Sequence, residues 1–294
     1  MPTHFTFKAI GTTWNIDVDM QPSEKEKLLA EIMARIDVFD KSYSRFRKDS
    51  LVTEISNKAR DYSLPDDAKK MLLLYKKLYD LTSGVMSPLV GQVLSDIGYD
   101  AKYSLKPKKN IPRAPTWNEN IEYEYPILHV KNPVLLDFGA IGKGYLIDIV
   151  ANIIAKHGIR DFTVDAGGDI AYGNEKGKTL RVGLENPEDL EQVVGIAEIK
   201  NGSICGSSGN RRRWGNHHHI VDSKTAKSPE HILALWTTTD NTMLADALST
   251  ALFFVPPETL LKEFKFEYAI IYADHSAKIS ANFPGHFFTL EKLI

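Results

Sequence analysis

The sequence predicts an α+β fold, with mixed, mostly antiparallel sheets flanked by helices. Three observations carry this expectation. Two segments place apolar residues at helical spacing, several short β-rich runs are bounded by turn residues, and the two kinds follow each other without a strand–helix–strand rhythm. No repeat of solenoid or propeller length is present. The 294 residues, 43% hydrophobic and 25% charged, suffice for a sizeable core. We expect one domain over residues 1–294, with an irregular insertion near 101–125.

Taken in order, residues 5–10 and 14–18 flank Gly11-Thr12-Thr13 and predict a hairpin. Residues 23–39 place Leu28, Leu29, Ile32, Ile36 and Phe39 on one helical face, with Ser23 as the expected N-cap. Residues 66–81 repeat the pattern through Ala68, Met71, Leu72, Tyr75, Leu78 and Tyr79 and stop near Ser83-Gly84. The stretch from Ala101 to Tyr125 is rich in Lys, Asn and Pro and lacks a sustained period, so an irregular or flexible excursion is expected. Short strands are expected at 134–136 and 162–165, joined by a helix from Lys143 to about His157 that Gly158 ends. Further strands are expected at 180–184, 195–199, 218–221 and 232–237, helices at 242–253 and 257–264, and strands again at 268–272, 277–280 and 286–290.

Composition excludes several functions. A net charge of −2 argues against non-specific binding to nucleic acid or an anionic membrane. The single cysteine, Cys205, excludes an internal disulfide framework and a cysteine-based zinc cluster. No stretch approaches the roughly 20 apolar residues needed to cross a bilayer, and the first residues lack a basic-then-apolar export pattern. A cytoplasmic protein is the expectation.

Chemistry concentrates in three blocks. Asp137-Phe-Gly-Ala-Ile-Gly-Lys-Gly-Tyr-Leu-Ile-Asp148 opens with a carboxylate, turns through Gly139, Gly142 and Gly144, and runs into an apolar helix pattern. Glycines allow close backbone approach and unusual dihedrals, and N–H groups at a helix start beside Lys143 suit an anion such as phosphate. The spacing is neither G-x-G-x-x-G nor a Walker loop, and an ordinary strand-to-helix connection reads the same way. In the second block Asp246 and Thr250 stand four apart, so on a helix they share a face. Their hard oxygens suit Mg²⁺ completed by waters and ligand phosphates; a solvated polar face is the alternative, and the apolar neighbours Ala245, Ala247, Leu248, Ala251 and Leu252 weaken it. Asp240 and Thr242 mark a turn and an N-cap. The third block, Ser208-Gly209-Asn210-Arg-Arg-Arg213 followed by His217-His218-His219, offers at most two converging imidazoles in a strand. One functional histidine is the expectation, with an arginine available to pair with phosphate or carboxylate. A weaker segment, Asp165-Ala-Gly167-Gly168-Asp169, fits a structural turn.

Together these blocks resemble the ApbE family, the Mg²⁺-dependent FAD:protein FMN transferases, in order along nearly the whole chain. Ile10-Gly11-Thr12 resembles an N-terminal Met-Gly-Thr, and Phe39, Ser44, Phe46, Asp49-Ser50 and Asn57 follow the family's next stretch. Thr82 to Met86, Asp137 to Asp148, Val164 to Ile170, Ser208-Gly209 with Arg213, His219 to Asp222, and Ala245 to Thr250 complete the set. The resemblance implies a T-fold-like architecture with an FAD cleft between lobes. It implies transfer of FMN from FAD to a Ser or Thr hydroxyl of an acceptor flavoprotein, with release of AMP. By position, Asp246, Thr250 and the Ala140 carbonyl would hold Mg²⁺, and Lys143 and the Asp137 turn would contact the flavin nucleotide. Ile10, Phe46 and Gly84-Val85-Met86 would lie against the rings, and His219 would be the general base or an orienting group. The chain departs from the pattern at Ile10 (for Met), Phe46 (for Tyr), Ser87 (for Asp), Asn210-Arg211 (for Asp-Tyr), and Ser223 and Ala226 (for Pro and Gly). An Mg²⁺-dependent FAD pyrophosphatase and a non-catalytic FAD-binding protein are the alternatives.

Overall fold

A computed structural model describes residues 3–288. The first elements are strands β1 (Thr3–Ala9) and β2 (Thr12–Val18), helix α1 (Lys25–Tyr43), helix α2 (Leu51–Ile55), strand β3 (Asp61–Ser63) and helix α3 (Asp67–Leu81). Helices α4 (Gly91–Asp96) and α5 (Trp117–Asn120) and strands β4 (Ile121–Glu124) and β5 (Ile127–Val130) lead to helix α6 (Gly142–Lys156). Strands β6 (Phe162–Ala166), β7 (Asp169–Gly173), β8 (Leu180–Glu185), β9 (Val193–Ile199) and β10 (Gly202–Ser208) follow, then the short pair β11 (Arg213–Trp214) and β12 (His217–His218). Strand β13 (Ile232–Thr239), helices α7 (Thr242–Ala251) and α8 (Pro257–Leu260), and strands β14 (Glu267–Tyr272), β15 (Ala277–Ile279) and β16 (Gly285–Phe287) end the described chain.

The α+β expectation holds. Eight strands form one antiparallel sheet in the order β1-β2-β6-β7-β10-β13-β14-β15, drawn from both halves of the chain. Its two faces bury different partners because side chains alternate along each strand. In β13, Ile232 and Leu235 enter the main core with α1, α3, α6 and α7, while Ala234 and Trp236 face a second cluster. That cluster holds Leu184, Val194, Ala197 and Ile199 of the small sheet β16-β9-β8. A register shift between Ile232 and Ala234 sets this alternation.

Several expectations are corrected. Ser23 lies in a short 3₁₀ turn and does not cap α1, which runs on to Tyr43. Residues 134–136 are not a strand. Val134 and Leu136 are buried, but the segment packs on the 3₁₀ turn Pro88–Val90 and on α4, where a Cβ on Gly91 would lie 2.4 Å from the Leu135 carbonyl. Strands β7 and β10 escape the sequence reading because each lies within a few residues of another strand and carries Gly, Ser or Asp in place of β-branched runs. The expected strand at 218–221 shrinks to β12, and the helix at 257–264 to α8. The excursion expected over 101–125 is irregular only as far as 116, since 117–124 form α5 and β4, and residues 101–116 are pinned: Lys108 N–H donates to Asp96 O at 2.8 Å and Ala114 N–H to Ser223 O at 2.7 Å. Of the expected last strand, 286–290, residues 289 and 290 lie outside the described part.

Candidate active site

Helices α6 and α7 cap each other. Asp148 on α6 accepts from Thr242 N–H (2.7 Å) and Met243 N–H (2.9 Å), the first free donors of α7. Asn241, rather than Asp240 or Thr242, supplies the local cap through Leu244 N–H at 3.0 Å. In return Asp246 Oδ2 on α7 accepts from Gly144 N–H at 2.8 Å. A helix N-terminus carries partial positive charge, so each carboxylate sits where a negative charge is favoured. The approach is close enough that a Cβ on Gly144 would lie 2.3 Å from Thr242 O and 2.6 Å from Asp246 Cβ. Gly144 is therefore required by the partner helix and not by a ligand, and neither it, Gly139 nor Gly142 adopts a positive φ. Asp148→Ala should orphan two partly buried N–H groups, at up to about 1–3 kcal/mol each. A urea denaturation midpoint matching wild type would refute this capping role.

The Asp246 cap has a second effect. In an uninterrupted helical turn Gly144 N–H would donate to the Ala140 carbonyl; here it goes to Asp246, which leaves that carbonyl outside the helix ladder. Ala140, Asp246 and Thr250 all line a cavity of about 1080 Å³. Asp246 is 5% exposed, and burial pushes its carboxyl above the usual range while Lys143 opposes the rise. A carbonyl, a carboxylate oxygen and a hydroxyl are hard donors, and with a single carboxylate they suit Mg²⁺ shared with substrate phosphates rather than an all-protein cage. No group of three His, Cys, Asp or Glu suited to a metal occurs among the described residues.

Lys143 and Asp137 also line the cavity. The Lys143 ammonium pairs with Asp169, which is 1% exposed at the start of β7. The Asp165–Asp169 segment is thus structural in one half, where Gly168 N–H donates to Asp165 at 2.8 Å, and electrostatic in the other. Asp137 Oδ1 accepts from Gly139 N–H at 2.7 Å and Oδ2 from Arg45 Nε at 2.5 Å, so its carboxylate shapes the turn. The sequence reading missed Arg45. Its guanidinium is buried, donates to Tyr99 O at 2.7 Å, and keeps Nη2 without a partner among the described residues.

His219 lines the cavity, whereas His217 and His218 do not. His218 is buried and fixed by Pro229 O at 2.8 Å and by Ile220 N–H at 3.2 Å. His219 Nδ1 is buried and has no partner among the described residues. Burial, then Arg212, His218 and Lys143, push its pKa down to about 3, so the imidazole is neutral at pH 7.

Of the ring-contact candidates, Ile10, Phe46 and Met86 line the cavity, whereas Gly84 and Val85 do not. Ile10 adopts φ 44°, a rare conformation for a β-branched residue, in the turn between β1 and β2. Gly84, at φ 85°, and Val85 instead anchor the distant loop around Ser223: Ser223 Oγ donates to Gly84 O at 2.7 Å and Ser223 N–H to Val85 O at 3.2 Å. Ser87 caps the next turn by accepting from Leu89 N–H at 3.2 Å. Ala226, which stands where the family pattern has glycine, adopts a left-handed φ of 58°.

The ApbE family model matches residues 10–270. The chain belongs to the ApbE family. Its relatives include proteins named FAD:protein FMN transferase from Vibrio cholerae serotype O1, 27% identical over 274 residues (87% of this chain, 82% of the relative), and from Escherichia coli K12, 24% identical over 278 residues (85% and 78%). Among solved structures, the flavin transferase ApbE from Vibrio cholerae superposes with a TM-score of 0.82 at 22% identity, over 96% of this chain and 98% of that one. The ApbE protein of Thermotoga maritima gives 0.80 at 22%, over 96% and 97%. These likenesses establish the ApbE fold for this chain, and no helix among its described residues is long and apolar enough to cross a membrane.

Proposed function

We propose that this ApbE-family chain is an FAD:protein FMN transferase that moves FMN from FAD to a Ser or Thr hydroxyl of an acceptor protein and releases AMP. The observation that supports the reading is that Asp246, Thr250, Ala140 and His219 line the same cavity, with the Asp246 cap on Gly144 leaving the Ala140 carbonyl outside the helix ladder. Relatives over more than 80% of the chain bear the name of this activity.

The reaction joins the acceptor hydroxyl oxygen to the FMN phosphorus and breaks the phosphoanhydride bond to AMP. A hydroxyl is a poor nucleophile at pH 7, and the neutral imidazole of His219 takes its proton. Lys143, held by Asp169, offers positive charge to the diphosphate. Mg²⁺, bound by Asp246, Thr250 and the Ala140 carbonyl, would screen the phosphates and stabilise the departing AMP oxygen. Asp137 and Arg45 hold the glycine turn in shape, and the apolar wall containing Ile10, Phe46 and Met86 excludes water from the rings.

Incubation with FAD, Mg²⁺ and a candidate acceptor tests the reading. A covalent yellow protein whose mass rises by one FMN, with one AMP released, is expected. Free FMN and AMP would identify a pyrophosphatase instead, and intact bound FAD a carrier.

A further inference from the structure

The excursion after α4 places an aromatic side chain in the cavity. Tyr103 lines it and is 51% exposed, although tyrosines that only pack are mostly buried. We propose that Tyr103 is a ring-stacking residue of the substrate site, holding a planar heteroaromatic ring of the bound dinucleotide. The proposal rests on the flavin-nucleotide reading above.

Four observations converge on it. Tyr103 lies parallel to Phe46, with centroids 5.5 Å apart and planes 11° apart. Tyr99 braces both rings edge-on, at 85° to Tyr103 and 74° to Phe46. The Arg45 guanidinium also lies over the Phe46 ring, 4.2 Å from its centroid, so Phe46 is engaged by Tyr103 and Arg45 and the open aromatic surface of the group belongs to Tyr103. Finally, Tyr103 reaches the β1–β2 turn: its hydroxyl lies 3.6 Å from where a Cβ on Gly11 would be, beside the cavity-lining Ile10.

The loop is built to hold this posture. Tyr103 has φ 50°, and its N–H donates to Asp100 O at 3.0 Å. The Asp100 carboxylate accepts from Lys102 N–H (2.8 Å) and Ser104 N–H (3.1 Å), and Leu105 N–H donates to Gly98 O at 2.9 Å. A preorganised aromatic ring offers stacking without the entropy of ordering a mobile loop.

The test titrates FMN and ADP separately, with Mg²⁺ present, into wild type, Tyr103→Ala and Tyr103→Phe. FMN binding is followed by fluorescence quenching and ADP binding by calorimetry. Base–aromatic stacking predicts that Tyr103→Ala weakens one of the two by about tenfold or more and that Tyr103→Phe restores it. Loss confined to FMN assigns the flavin ring, and loss confined to ADP assigns adenine; either supports stacking. Both affinities staying within about twofold of wild type in Tyr103→Ala would overturn the proposal. A wild-type protein that binds neither probe would instead overturn the flavin-transfer reading beneath it.

Discussion

Asp246→Asn is expected to lower Mg²⁺-dependent AMP release by at least about 10²–10³-fold while the protein stays folded. Asparagine keeps an oxygen that can accept from Gly144 N–H, so the α6–α7 contact survives and the loss reports on charge at the metal. Alanine would be a poorer test, because it also leaves that buried N–H unpaired. The stability of the two forms should run the opposite way to their activity. Burial raises the folded pKa of Asp246 above its ordinary 3.8, so its contribution to stability is complete below the unfolded value and is lost as pH rises through the folded one. At pH 7 without metal, the uncharged asparagine should therefore be at least as stable as wild type. Chromatographic assay of AMP against Mg²⁺ concentration, with calorimetric melting of both proteins, checks the pair. Wild-type turnover in Asp246→Asn would remove Asp246 from the metal site.

His219→Ala should reduce kcat by about 10²–10⁴-fold, the usual range for a general base, with FAD affinity largely retained. An unchanged rate would place the proton acceptor elsewhere. The pH dependence sharpens the test. With its pKa pushed down to about 3 from 6.5, the imidazole binds protons less readily in the folded chain than in the unfolded one. Its contribution to stability is therefore present above the unfolded value and is lost as pH falls from about 6.5 through the folded value near 3. In the free enzyme no His219 limb should appear in kcat/KM between pH 5 and 8. Bound diphosphate would offset Arg212 and Lys143, two cations that depress the imidazole. The acid limb of kcat should accordingly lie at higher pH than that of kcat/KM. Initial rates at saturating and at low FAD measure both profiles, and a coincident limb in the two would count against His219 as the base.

The residues legible in sequence were those whose chemistry repeats at a local period. The apolar stripes of α1, α3, α6 and α7 came through because burying one helical face imposes a 3.6-residue spacing on neighbouring residues. That Asp246 and Thr250 share a turn of α7 came through for the same reason, since four residues are about one turn. Composition excluded a disulfide framework and a cysteine-based zinc cluster, and the order of the blocks led to the family that the model match establishes. Strands β7 and β10 did not come through, because their polar and small residues face α7 or a turn: Ser203, Cys205 and Ser207 bond to Thr242 and Ser249 across the sheet face.

What tertiary structure alone decided is which helix answers which carboxylate. Asp148 and Asp246 stand 94 and 102 residues from the N–H groups they accept from, and Arg45 stands 92 from Asp137. No local period records such distances, because the pairing energy belongs to donors that meet only in the folded chain. The sequence by itself therefore determined which residues have the chemistry. The Asp246 cap on Gly144 leaves the Ala140 carbonyl outside the helix ladder, the Pro229 and Ile220 bonds hold His218 away from the cavity that His219 lines, and the Asp100 turn brings Tyr103 to it.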